Sequence, residues 1–262
     1  MRRVLSLAAA VTLATLAVRC STFGEESGGG PGDAAPAADG GLADAAADSA
    51  DATSATDASS CANVLLRDDF ERQALLPAPP WDFAMTPVAG ELSLEISDTA
   101  HGTSLRATLP GQGDAGPAYP EKAVGMVERV TYSYRMRFDA ATKRDVVMNS
   151  IELNDSQASL FVFAAPDGKR SLREQRYDVA GRPSVDYPCG MVDDQWHDYV
   201  ITLDLAQPPH VRLVIDGVLQ VDANLQGPFK PGLMRARGGV SFTGKGPAST
   251  VWVDDVEVCL ER

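Results

Sequence analysis

Helical periodicity is missing from this chain. No segment places apolar residues at the three- and four-residue spacing of an amphipathic helix, and no block of sequence repeats, which excludes helical bundles and solenoids. Basic charge is scarce too: 23 Lys and Arg face 36 Asp and Glu, so the field around the chain repels nucleic acid. The three histidines sit in ordinary contexts. His197 opens a strand, His101 precedes a turn glycine and His210 follows two prolines. Aromatic residues make up only 6% of the chain, and the apolar run Val4–Val18 is too short for a stable membrane span.

The amino-terminal quarter cannot form a core. Met1-Arg2-Arg3 followed by that apolar run and then Cys20 reads as an export signal. A cysteine placed directly after the run resembles the bacterial lipobox, whose cysteine becomes the acylated amino terminus; Arg19 departs from the small residue usual just before it. From Ser21 to Ser60 the chain is almost entirely Ala, Asp, Gly, Ser, Thr and Pro, with eight acidic residues and no basic one. Such a segment buries too little apolar surface to fold, and its like charges keep it extended. The expectation is a signal peptide over 1–19, lipid on Cys20, a disordered acidic tether over 20–60 and one domain over 61–262. An exported protein of the cell envelope follows, expected as an outer-membrane lipoprotein, with a secreted or periplasmic protein as the alternative.

The domain is all-β by pattern. Tyr199, Ile201 and Leu203 alternate with polar or smaller residues, as do Val211, Leu213 and Ile215, so each set lines one face of a strand. Asp216-Gly217 supplies the two positive-φ residues of a tight hairpin. The clearest alternation is Tyr132, Tyr134, Met136 and Phe138 against Thr131, Ser133, Arg135 and Arg137. Further strands are expected at 64–70, 92–96, 105–109, 146–153, 160–164, 172–178, 239–242 and 250–260, about a dozen in all.

A Trp196-His197 pair opening one strand, with the next ending Ile215-Asp216-Gly217, resembles laminin-G-like modules of the concanavalin A-like lectin and glucanase superfamily. The resemblance implies a jelly-roll β-sandwich of two antiparallel sheets, a fold that hosts lectins, hydrolases, lyases and inert scaffolds. First and last strands commonly lie side by side there, which implies a Cys61–Cys259 disulfide and leaves Cys189 a loop thiol. The resemblance also implies a structural calcium. Asp69-Phe70-Glu71 at the first strand and Asp254-Asp255-Val256 in the last match the paired acidic ends of such modules, with Asp69, Glu71, Asp254 and Asp255 as candidate ligands.

Catalytic signatures are thin. Hydrolases of this superfamily carry their carboxylates on one strand as Glu-x-Asp-x-(x)-Glu, and only Glu152 answers to that pattern here. Its lyases set Arg, an amide, His and Tyr around a uronate. Arg173, Gln175 and Tyr177 share one side of a polar strand, and Arg135 and Asn149 are expected to face the same groove, but the lyase spacings are absent. The expectation is therefore a non-catalytic surface module for polysaccharide, with Arg173, Gln175, Tyr177, Arg135 and Asn149 as binding residues. A polysaccharide lyase is the alternative, and a structural or adhesive domain the third reading. Trp81, Tyr119, Tyr177 and Tyr187 lie in or beside expected loops as candidate stacking rings.

Overall fold

The computed structural model describes residues 61–261 except 62, 73–76, 86–90, 99–101, 112–116, 140–143, 155–156, 191–193, 228 and 245. The export signal, Cys20, the tether and His101 lie outside the described residues. Among the described residues there is no helix, hence none long and apolar enough to cross a membrane.

Among the described residues fifteen strands are divided between two antiparallel sheets. In chain order they are β1 (Asn63–Asp68), β2 (Phe83–Met85), β3 (Glu91–Asp98), β4 (Gly102–Leu109), β5 (Tyr119–Val127), β6 (Arg129–Phe138), β7 (Val146–Leu153) and β8 (Ala158–Ala164). The second half holds β9 (Arg170–Arg176), β10 (Ser184–Pro188), β11 (His197–Asp204), β12 (His210–Ile215), β13 (Val218–Asn224), β14 (Gly232–Thr243) and β15 (Ser249–Leu260). One sheet runs β13-β12-β11-β6-β15-β4-β3, with β1 added beside β15. The other runs β10-β9-β8-β7-β14-β5-β2.

The strand faces follow the residue pattern. Tyr132, Tyr134, Met136 and Phe138 on β6 are all buried, as are Tyr199, Ile201 and Leu203 on β11. Tyr134 and Tyr199 are directly opposite across the β6–β11 ladder and stack with ring centres 5.1 Å apart. Asp216 and Gly217 both take positive φ, 50° and 76°, as the hairpin between β12 and β13 requires.

β15 changes partner along its length: Ser249–Val253 pairs with β4, and Val256–Leu260 pairs with β1. The change falls at Asp254-Asp255, where the register against β6 shifts and Asp255 has a φ of 47°. Val64 pairs with Cys259, and the Cys61–Cys259 disulfide joins the two strands with Cα atoms 5.6 Å apart. First and last strands are adjacent, as the resemblance implied.

Candidate functional site

The seven-stranded sheet turns one face to the core and one outward, and the register writes the outward face in rows. Across the middle run Phe83, Glu121, Arg237, Ser150, Phe161, Arg173 and Asp186, each opposite the next on the adjoining strand. One row over lie Arg235, Glu152, Ser159, Gln175 and Ser184. On the other side lie Phe242, Val147, Phe163, Ser171 and Pro188. Val147, Phe161 and Phe163 form a small apolar cluster of their own, separate from the core.

A cleft of about 480 Å³ opens over these rows, a size suited to a small organic ligand. Phe242, 59% exposed, stands on its β14 side, and Gln175, Tyr177 and Arg182 stand on its β9 side. Phe161, Ser150, Ser159 and Glu152 lie between. Tyr177 is held in place by its hydroxyl, which accepts from Ser159 Oγ at 3.3 Å and donates to Gln175 Oε1 at 3.2 Å.

Charge in the cleft is largely neutralised internally. Arg237 donates from Nε to Glu121 Oε2 at 2.7 Å and from Nη1 to Glu152, and its guanidinium lies 4.5 Å from the centre of the Tyr119 ring. Beside the cleft, Arg173 donates to both carboxylate oxygens of Asp186, at 2.6 and 2.8 Å, while its guanidinium carbon sits 3.5 Å from the centre of the Phe163 ring. Arg173 holds the Asp186 carboxyl below the usual range, although partial burial opposes it.

The structure gathers Gln175 and Tyr177 in the cleft and puts Arg173 next to them, as alternation along β9 predicts. It corrects the other two assignments. Arg135 projects from β6 in the opposite sheet and pairs with Asp198 at 2.8 Å and Asp255 at 3.6 Å. Asn149 is wholly buried: its Oδ1 accepts from Gly239 N at 2.6 Å, and its amide contacts Met136 Sδ. Of the candidate rings, Trp81 is core, donating from Nε1 to Asp68 at 2.5 Å. Tyr119 lies under Arg237, and Tyr187 bonds Glu174 through its hydroxyl. Phe161, Phe163 and Phe242 went unread in the sequence. The first two sit in a strand that is apolar on both faces, which gives no hint that one face looks out.

Of the four acidic residues expected to hold calcium, Glu71 and Asp255 lie close enough to Asp254 for their charges to act on it. The end of β1, the start of β4 and the irregular middle of β15 meet there. Asp254 is only 2% exposed, and burial, followed by the charges of Asp255 and Glu71, pushes its carboxyl up to about 7. Glu71 accepts from Thr103 N at 2.9 Å beside Gly102, whose φ of 63° leaves room where a Cβ would collide with the carboxylate. Asp69 caps Glu71 N at 3.2 Å, and Asp255 turns to Arg135. Asp68, at the start of the same acidic segment, is buried and bonded to Arg72 at 2.6 Å as well as to Trp81.

No protein-family model matches the sequence, and no curated protein does. Solved structures do. The endo-β-1,4-glucuronan lyase of the fungus Trichoderma reesei matches with a TM-score of 0.57 and 15% identity, over 76% of this chain and 96% of that one. The cellulose induced protein Cip1 matches with a TM-score of 0.56 and 15% identity, over 75% and 98%. A carbohydrate esterase of the Shiga toxin-encoding bacteriophage phi24B gives 0.52 and 16%, over 76% and 99%. At such identities the likeness speaks for the fold alone, a jelly-roll β-sandwich of two antiparallel sheets. The described domain has that fold.

Proposed function

We propose that this domain binds a polysaccharide in the cleft on the outward face of the seven-stranded sheet and does not cleave it. The observation that carries the reading is the cleft itself: a separate aromatic and aliphatic floor, the rings of Phe242 and Tyr177 on opposite sides, and amide and hydroxyl groups between them. Ring faces stack on the apolar faces of sugars while planar polar groups take the hydroxyls. Support for a glycan comes also from the neighbours of like fold, whose names speak of glucuronan and carbohydrate ester.

The ionisable groups near the cleft speak against turnover. Glu152 and Glu121 are both bound to Arg237, and neither His197 nor His210 lies on this sheet. A proton donor or acceptor for bond cleavage must reach the reacting atom without first breaking such a pair. A glycan array followed by titration of the hits tests the reading. Saturable binding that Phe242→Ala weakens supports it. New ultraviolet absorbance from unsaturated sugar ends, lost in Tyr177→Phe, replaces it with a polysaccharide lyase.

A structural calcium belongs to the same proposal. Buried Asp254 and exposed Glu71 would supply hard oxygen ligands in the corner described above, and a cation there would offset the repulsion between their carboxylates. We also assign the protein to the cell envelope through acylated Cys20. The intact mass of membrane-fraction protein tests this, and an unacylated terminus elsewhere refutes it.

A further inference from the structure

We propose that Arg182 selects an anionic glycan, by binding a carboxylate or sulfate group of a chain seated in the cleft; the inference rests on the polysaccharide reading above. Three observations converge on this residue. Arg182 lines the cleft beside Tyr177, with its guanidinium carbon 5.7 Å from the ring centre. It is also the cleft cation that the protein leaves unneutralised among the described residues. Arg237 is flanked by Glu121 and Glu152, and the two acids nearest to Arg182 in sequence are both engaged elsewhere, Asp178 by Arg176 at 3.1 and 3.0 Å and Asp186 by Arg173 at 2.6 and 2.8 Å.

The third observation is conformational. Arg182 has a φ of 46°, the left-handed region that a bulky side chain rarely enters. Pro183 follows it, and a residue before proline is ordinarily driven to extended backbone. The turn is nevertheless held firmly: Arg182 N donates to Val179 O at 3.1 Å, and Arg176 N donates to Pro183 O at 3.0 Å. A glycine or asparagine would fit this turn with less strain. Retaining an arginine there makes sense when its charge is used, because strained backbone gathers at sites where the side chain has a task.

The chemistry fits the position. A guanidinium presents a planar fork that meets the two oxygens of a carboxylate or sulfate, and the Tyr177 ring beside it offers a face for the sugar bearing that group. The remainder of the domain, with 28 acidic against 20 basic side chains over 61–262, repels polyanions at long range. Discrimination therefore depends on this local contact rather than on a general attraction.

The test uses the full chain and two pairs of polymers that differ in charge: homogalacturonan against its methyl ester, and dextran sulfate against dextran. Titration should show at least one charged member bound about tenfold more tightly than its neutral partner, the scale of a single charge-assisted contact. The pair that shows the gap identifies carboxylate or sulfate as the group recognised. Arg182→Asn should close the gap by weakening the charged partner far more than the neutral one and keep Tm at or above that of the parent, since Asn tolerates the left-handed conformation. Arg182→Lys should retain part of the gap. Equal affinity within both pairs, a gap that survives Arg182→Asn, a fall in Tm accompanying its loss, or no gap with lysine each overturns the assignment while leaving glycan binding in place. No binding to any of the four polymers removes the underlying reading as well.

Discussion

Arg173 lies on the face of Phe163 and is gripped along the edge of its guanidinium by Asp186. The planar fork that sequence reasoning offered to a ligand is thus already occupied, while Tyr177 keeps an exposed ring. Arg173→Ala should accordingly weaken glycan binding by less than about threefold and Tyr177→Ala by about tenfold, the order of a lost stacking contact. Titration of both variants with one array-derived oligosaccharide decides between them, and equal losses contradict the ordering.

Asn149 is a structural residue. Replacing it with alanine strands the Gly239 N–H in the interior, which costs about 1–3 kcal/mol. Urea unfolding of Asn149→Ala should show that loss, with glycan affinity of the folded fraction unchanged.

Asp254 gives the metal-free domain an uncommon pH dependence. An unfolded Asp carboxyl ionises near ~3.9, whereas burial keeps the folded one protonated up to about 7. Between those values the folded chain holds the extra proton, so stability falls as pH rises through the window, by a few kcal/mol at most at ~1.4 kcal/mol per pKa unit. Asp254→Asn should flatten the trend. Calcium, which favours the ionised carboxylate, should raise Tm more at pH 8 than at pH 5. Thermal melts with chelator and with calcium provide the check, and identical curves reject the calcium site.

Removing the Cys61–Cys259 bond by Cys61→Ser should destabilise the domain by about 2–5 kcal/mol, because it closes a long loop whose freedom the unfolded chain regains. Guanidinium unfolding, compared with the parent before and after reduction, measures this. A reduced parent that stays as stable as the oxidised one contradicts it.

The strands that could be read in the sequence are those with one face in the core. β6, β11 and β12 declare themselves through Tyr132–Phe138, Tyr199–Leu203 and Val211–Ile215, and the turn between β12 and β13 through Asp216-Gly217. β5 did not, because Glu121, Lys122 and Gly125 interrupt any apolar alternation. β2 and β10 are short edge strands with little buried surface. Side-chain alternation assigns a residue to a face of its strand but not the strand to a sheet, which is why Arg135 was expected in a groove that lies on the other sheet. Asn149 was misplaced for a different reason. The ladder shifts register between Met148 and Ser150, and Asn149, with a φ of 41°, is the residue that breaks the alternation there.

The bond at Cys61 also decides how the domain bears load. β1 reaches the eight-stranded sheet only through its ladder with β15, which by itself could be opened one hydrogen bond at a time by tension on the chain ahead of it. The disulfide moves that tension off the ladder and onto Cys259, in a strand flanked by neighbours on both sides. A pull from the amino-terminal side then meets β15, which is paired with β6 as well as with β1, rather than the β1 ladder alone.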